Sequence, residues 1–154
     1  MNLIPYSTPT IREPQSADER SWRRLWASYN SFYETDIPEA VTAFTWQRIL
    51  DPRSGVFARL AVLGGTVVGF NVCVLHESTW TQTPVCYLED LFVDADHRRR
   101  GVGRVLIEDL LKLASARRWS RVYWHTRANN DHARLLYDKF VKSDDFVRYR
   151  LLLD

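Results

Sequence analysis

Apolar side chains recur along the chain with two different periods, and the switches between them lay out the elements. Trp22, Leu25, Trp26, Tyr29, Phe32 and Tyr33 are three and four apart, which predicts a helix over 17–33 with a broad apolar face. Ser16-Ala17-Asp18-Glu19, just ahead, has the form of a capping box. Pro38 suits the first turn of a second helix running to about Leu50, with Val41, Phe44 and Ile49 inward. The period then shortens. Val56–Leu63 and Thr66–Leu75, joined by Gly64-Gly65, read as a hairpin with a two-residue turn. A third strand is expected at Val85–Val93. A helix is expected from Val102 to about Arg117, a short strand from Arg121 to Thr126, a helix over 130–142 and a final strand from Phe146 to Leu153. Two early helices, an antiparallel run and a β-α-β-α-β tail make an α/β or α+β sandwich. No repeat or linker divides it, so the 154 residues, 1–154, are expected to form a single domain.

Composition narrows the class. With 45% hydrophobic residues, 13% aromatic and six Trp, the chain can build a core without disulfides, which rules out a disordered reading. Cys73 and Cys86 form no CxxC pair, and the four histidines show no metal-ligand spacing, so no metal is expected. The first residues carry no signal-peptide pattern and no window reaches a membrane span; a cytoplasmic protein without a membrane partner is expected. The net charge of +2 conceals two halves: residues 1–97 hold seven basic against twelve acidic residues, and 98–154 hold fourteen against seven. Ligands of opposite sign, or two sides of one surface, would account for this.

Candidate chemistry gathers at two places. After the strand ending at Val93, Arg98-Arg99-Arg100-Gly101-Val102-Gly103-Arg104 leads into a helix. Glycines there let the backbone aim N–H groups at an anion, the helix start adds its positive dipole end, and the arginines add charge. A pyrophosphate fits. The run is neither a Walker A loop, lacking Gly-Lys-Ser/Thr, nor a dinucleotide fingerprint, lacking the third glycine; taken alone, it also reads as a solvated basic turn. Further on, Asn130, Ala133 and Tyr137 share one helical face, with a small residue between two polar ones. These three also read as a helix cap and core packing.

In this order, Arg98-x-x-Gly101-x-Gly103 and Asn130-x-x-Ala133-x-x-Leu136-Tyr137 resemble the GNAT superfamily of acyl-CoA-dependent N-acetyltransferases. Tyr87-Leu88-Glu89-Asp90-Leu91-Phe92-Val93 and the run 122–139 are similar to the branch holding the diamine (spermidine/spermine) and the yeast histone and polyamine acetyltransferases. The chain departs from that pattern where Gly-Phe would follow the tyrosine helix; here it reads Lys139-Phe140-Val141-Lys142.

The resemblance implies a mixed, mostly antiparallel central sheet flanked by about four helices and splayed between the strands at 85–93 and 121–126. It implies acetyl-CoA as co-substrate, held by Arg98, Arg99, Arg100, Gly101, Val102, Gly103 and Arg104, by Asn130, Ala133 and Tyr137, and by backbone groups of Leu91, Phe92 and Val93. It implies direct attack by a primary amine, with Glu89 as base through a water, Asp90 as the fallback, and Tyr137 as acid toward the thiolate. Strand alternation places only one of the two carboxylates on the site face unless a bulge intervenes. A homodimer is implied, pairing or exchanging its C-terminal strands. The acidic first half suits a cationic acceptor: a polyamine, a lysine-like amine, a basic peptide or an aminoglycoside. His125 is an outside candidate for proton transfer, and Trp26, Trp80 and Trp124 for lining an acceptor pocket. Two rival functions share the residues: a nucleic-acid-binding module using Arg98–Arg104, though no nucleic acid is expected as partner, and a catalytically silent acetyl-CoA sensor.

Overall fold

A computed structural model of the chain describes residues 7–153. Residues 1–6, part of the segment read for a signal peptide, and Asp154 lie outside it. The elements are β1 (Thr10–Arg12), α1 (Glu19–Phe32), α2 (Glu39–Leu50), β2 (Val56–Leu63), β3 (Thr66–His76), β4 (Val85–Val93), α3 (Val102–Arg117), β5 (Arg121–Tyr123) and α4 (Asp131–Tyr137). The strands form one sheet in chain order, antiparallel except where β5 runs parallel to β4.

Each face of the sheet carries its own apolar layer. Trp22, Leu25 and Trp26 of α1 and Trp46 and Ile49 of α2 bury against Leu60, Phe70, Val72 and Phe92. Trp22 is fully buried, stacked on Trp26 (5.1 Å between centroids) and on Trp46 (5.2 Å). The other face holds α3, whose Leu106, Ile107 and Leu110 pack on Val68, Cys73, Cys86 and Leu88. Arg59 clamps β2 to α3 through two hydrogen bonds to Asp109, at 2.9 and 3.0 Å.

Several sequence expectations need correction. The face of α2 is rotated: Val41 and Phe44 are exposed, while Thr42, Thr45 and Trp46 go inside with Ile49. Burying Thr42 is tolerable because its hydroxyl accepts a hydrogen bond from the Trp26 indole at 3.1 Å. The capping carboxylate is Asp18, one residue earlier than expected. It accepts from the Gln15 backbone N–H at 2.7 Å and from both Arg12 terminal nitrogens, which ties β1 to the helix entrance. The strand expected over 121–126 ends at Tyr123, and the helix expected over 130–142 spans Asp131–Tyr137. The final strand is absent among the described residues: 143–153 pair with nothing in the sheet, and Phe146, Tyr149 and Leu151–Leu153 are exposed. The tail lies beside β5, lining one groove with Arg121 and Tyr123, but forms no ladder with it.

Two irregularities in β4 position everything that follows. β4 and β5 pair only from Val85 to Tyr87, opposite Arg121 to Tyr123; beyond that the strands separate, and no strand among the described residues covers that edge of β4 from Leu88 to Val93. On its other edge β4 pairs with β3, but the register jumps from Val72↔Asp90 to Cys73↔Leu88, leaving Glu89 without an opposite residue. That is a β-bulge.

Candidate active site

The bulge reorganises the faces of β4. Without it, Leu88 and Asp90 would share a face. With it, Leu88 stays in the α3 layer beside Cys73 and Cys86, whereas Asp90 turns to the α1 side, beside Tyr29. Glu89, at the bulge itself, is exposed. Both carboxylates therefore sit at the point where β4 and β5 part, one in solvent and one set into the wall. Burial pushes the Asp90 carboxyl up to about 7, against an opposing pull from Tyr29, and the Glu89 charge adds to the rise.

Tyr29 of α1 and Tyr33, just past its end, close that wall. Tyr29 stacks on Trp26 at 5.5 Å and leans on Phe92 at 6.0 Å, and Tyr33 lies 4.8 Å from it. Opposite, Tyr137 of α4 is partly buried and edge-on to Trp124 at 5.6 Å. Burial, with a smaller contribution from Tyr33, pushes its hydroxyl up to about 12, so it stays protonated at neutral pH.

The glycine loop adjoins. Gly101, at φ 76° and ψ 10°, immediately precedes α3 and accepts the first helical hydrogen bond, from Val105 N–H at 3.0 Å. A side chain would be strained there on backbone grounds alone, since a Cβ would meet nothing within 4 Å. Gly103 serves differently. A Cβ on it would stand 3.2 Å from Leu136 of α4, so its absence lets α3 and α4 meet and unites the two motifs in space. Val102 is buried beneath the loop.

The arginines do not form one ring around the amides. Arg98 turns back, donating to the Val93 carbonyl at 3.1 Å with its guanidinium 5.3 Å over Phe92 and 5.6 Å over Phe32. It borders a cleft of about 510 Å³ lined also by Ser28, Ser31 and Asp94. Arg104 pairs with Glu108 at 2.8 Å, while Arg99, at φ 62°, and Arg100 are exposed. Asn130 caps α4: its side chain accepts from Ala133 N–H at 3.5 Å and donates to Thr126 at 3.1 Å. Ala133 is partly buried, one turn before Tyr137.

Of the other candidates, His125 lies 3.2 Å from the Tyr87 hydroxyl, Trp26 is core, and Trp80 is exposed in a groove of about 620 Å³ with Tyr123, Trp124 and His125. Tyr29 and Tyr33 carry no motif and read as an apolar helix face in the sequence; the fold sets Tyr29 beside Asp90. Among the described residues no group of three or more His, Cys, Asp or Glu could hold a metal, and no helix is long and apolar enough to cross a membrane.

A splayed strand pair, a glycine-opened helix start and a partly buried tyrosine on the helix packed against it can be set beside known proteins. The Acetyltransferase (GNAT) family profile matches residues 20–141. The chain belongs to this family. As a GNAT protein it is an acyltransferase, and GNAT enzymes draw on acetyl-CoA. It is 34% identical over 142 residues to the D-amino-acid N-acetyltransferase HPA3 of Saccharomyces cerevisiae, covering 91% of this chain and 88% of the relative. With the aminoglycoside N(6')-acetyltransferase type 1 of Stenotrophomonas maltophilia it shares 31% over 118 residues, covering 75% and 69%. The structure of AAC(6')-Iy in complex with a bisubstrate analog, CoA-S-monomethyl-acetylneamine, has the same fold: TM-score 0.78 and 20% identity over 96% of this chain and all of that one.

Proposed function

We propose that this GNAT protein acetylates the primary amine of a small cationic or zwitterionic acceptor by direct attack on acetyl-CoA lying in the β4–β5 splay. The observation that carries this reading is the bulge at Glu89, which sets two carboxylates where β4 and β5 part. Amide N–H groups at the start of α3, with Arg98–Arg104 around them, would hold the pyrophosphate; the free edge of Leu91, Phe92 and Val93 would pair with the pantetheine arm; and Asn130, Ala133 and Tyr137 would border it. Glu89, open to solvent, takes the amine's proton through a water. Tyr137 donates a hydrogen bond to the sulfur. A phenol near 12 is a weaker acid than a thiol near ~8.5, so it stabilises the developing thiolate without a full proton transfer. Retention of Glu89 and Tyr137 favours an enzyme over a silent sensor.

The acceptor is best sought among amino acids and polyamines. The similarity to HPA3 supports the first, and the Glu89–Asp90 pair suits the ammonium of either. Thiol release from acetyl-CoA against D-alanine, L-lysine, spermidine and an aminoglycoside tests this. We expect turnover with an amino acid or spermidine, and a fall in kcat of about a hundredfold in Glu89→Gln with acetyl-CoA binding unchanged. Full activity in Glu89→Gln would remove it as the base.

We also propose a homodimer working in the cytoplasm. The buried thiols of Cys73 and Cys86 are free, which suits a reducing compartment. Phe146, Tyr149 and Leu151–Leu153 of the tail expose apolar surface that a second copy would cover. Removing residues 144–154 is expected to turn the dimer into a monomer in sedimentation velocity; a full-length protein that sediments as a monomer would contradict the proposal.

A further inference from the structure

Tyr87 and Tyr123 are the last opposed pair of β4 and β5 before the strands part. Their rings stack at 5.0 Å with 12° between the planes. His76 Nε2 lies 2.8 Å from the Tyr123 hydroxyl, and His125 Nδ1 lies 3.2 Å from that of Tyr87, so both hydroxyls are engaged. This fixed aromatic block stands at the apex of the splay, and Glu89 is two residues further along β4. The Arg121 guanidinium lies 5.6 Å over the Tyr123 ring. Both border the groove of about 620 Å³, where Trp80 and Arg148 join them. Neither arginine is paired with a carboxylate among the described residues. The acid of the groove, Asp144, is engaged within the tail, accepting from the Phe146 backbone N–H at 3.2 Å. Two guanidiniums beside an aromatic wall suit a planar anion, which accepts forked hydrogen bonds from such groups. A polyamine, positive at each amine, would be repelled there.

We infer that Arg121 and Arg148 bind the carboxylate of the acceptor, which makes that acceptor an amino acid rather than a polyamine. This rests on the reading above that the acceptor's amine reacts at the β4–β5 splay, beside Glu89. Tyr87 and Glu89 are at most about 7 Å apart along the strand, from ~3.3 Å per residue. One amino acid and an arginine side chain span that distance. Charge then orients the acceptor: its amine goes to the carboxylates of β4 and its carboxylate to the groove.

Lysine and cadaverine, its decarboxylated form, carry the same two amines and differ by one carboxylate, so comparing them isolates this subsite. The Trp80 indole N–H in nitrogen-15 spectra of the full chain, assigned with Trp80→Phe, reports occupancy of the groove without acetyl transfer. Lysine should shift that signal saturably and bind at least about tenfold more tightly than cadaverine, the usual worth of a hydrogen bond between charged groups. Arg121→Gln and Arg148→Gln, both at exposed positions, should bring the two ligands within about threefold of each other. Arg121→Lys, which keeps the charge but not the fork, should retain part of the preference. In turnover the same preference should appear as a ratio of kcat/KM values. Equal binding of lysine and cadaverine by the wild type would overturn the inference, as would a lysine preference that survives both glutamine substitutions. Altered sedimentation of these variants with lysine binding intact would assign the groove to a second copy and overturn it as well. Because the indole signal needs no turnover, a protein that binds lysine in this way yet acetylates no amine would contradict the proposed activity alone.

Discussion

Replacing Tyr137 by phenylalanine is expected to lower kcat about a hundredfold while the KM for acetyl-CoA stays within about threefold. The phenylalanine ring keeps the edge-on contact with Trp124, so the pocket is preserved and only the hydroxyl is lost. That hydroxyl remains protonated across the working pH range because burial holds it near 12. Its interaction with sulfur grows as the thioester breaks and negative charge collects there, so its removal costs the transition state more than the ground state. Single preorganised donors of this kind are worth about 10²–10³ in kcat. Steady-state thiol release gives both parameters. A loss confined to KM would make Tyr137 a binding residue only, and an unchanged kcat would remove it from the chemistry.

Gly101→Val should raise the dissociation constant for acetyl-CoA about ten- to a hundredfold. The cause is backbone geometry. At φ 76° a β-branched residue is strained by about 1–3 kcal/mol, and relaxing that strain turns away the N–H groups that start α3. The Cβ itself is not crowded, since no atom lies within 4 Å of it. Gly101→Asn is therefore the informative control: asparagine tolerates the left-handed region and should retain most of the affinity. Calorimetric titration separates the cases. Equal losses in both variants would show that the glycine matters for some reason other than its φ.

What the sequence made legible, and what it hid, divides along physical lines. Gly64-Gly65 between two alternating runs defines the hairpin, and both glycines have positive φ. The boundaries of α3 and β4 were legible because long periodic runs meet loop residues at both ends. The bulge was not. Alternation offers no mark for an inserted residue, although Leu88 and Leu91, an odd number apart, both pack against α3 and so carry a trace of it. The inward face of α2 was misread because Thr42 is buried by a hydrogen bond, which a hydrophobic pattern does not register. The tail looked like a strand because it has a strand's composition; it lies beside β5 without forming a ladder with it. At the site, the motif residues stand out in the sequence, while the neighbour of Asp90 on α1 does not, because that depends on which way the bulge turns the carboxylate.

The central claim is that the acetyl group passes directly from acetyl-CoA to an amine when both are bound at the splay. Initial velocities with acetyl-CoA and the preferred acceptor, each varied at several fixed levels of the other, test it most directly. Intersecting double-reciprocal lines, with no acetylated protein detectable by mass spectrometry after incubation with acetyl-CoA alone, are the predicted result. Parallel lines with a trapped acetyl-enzyme would contradict it.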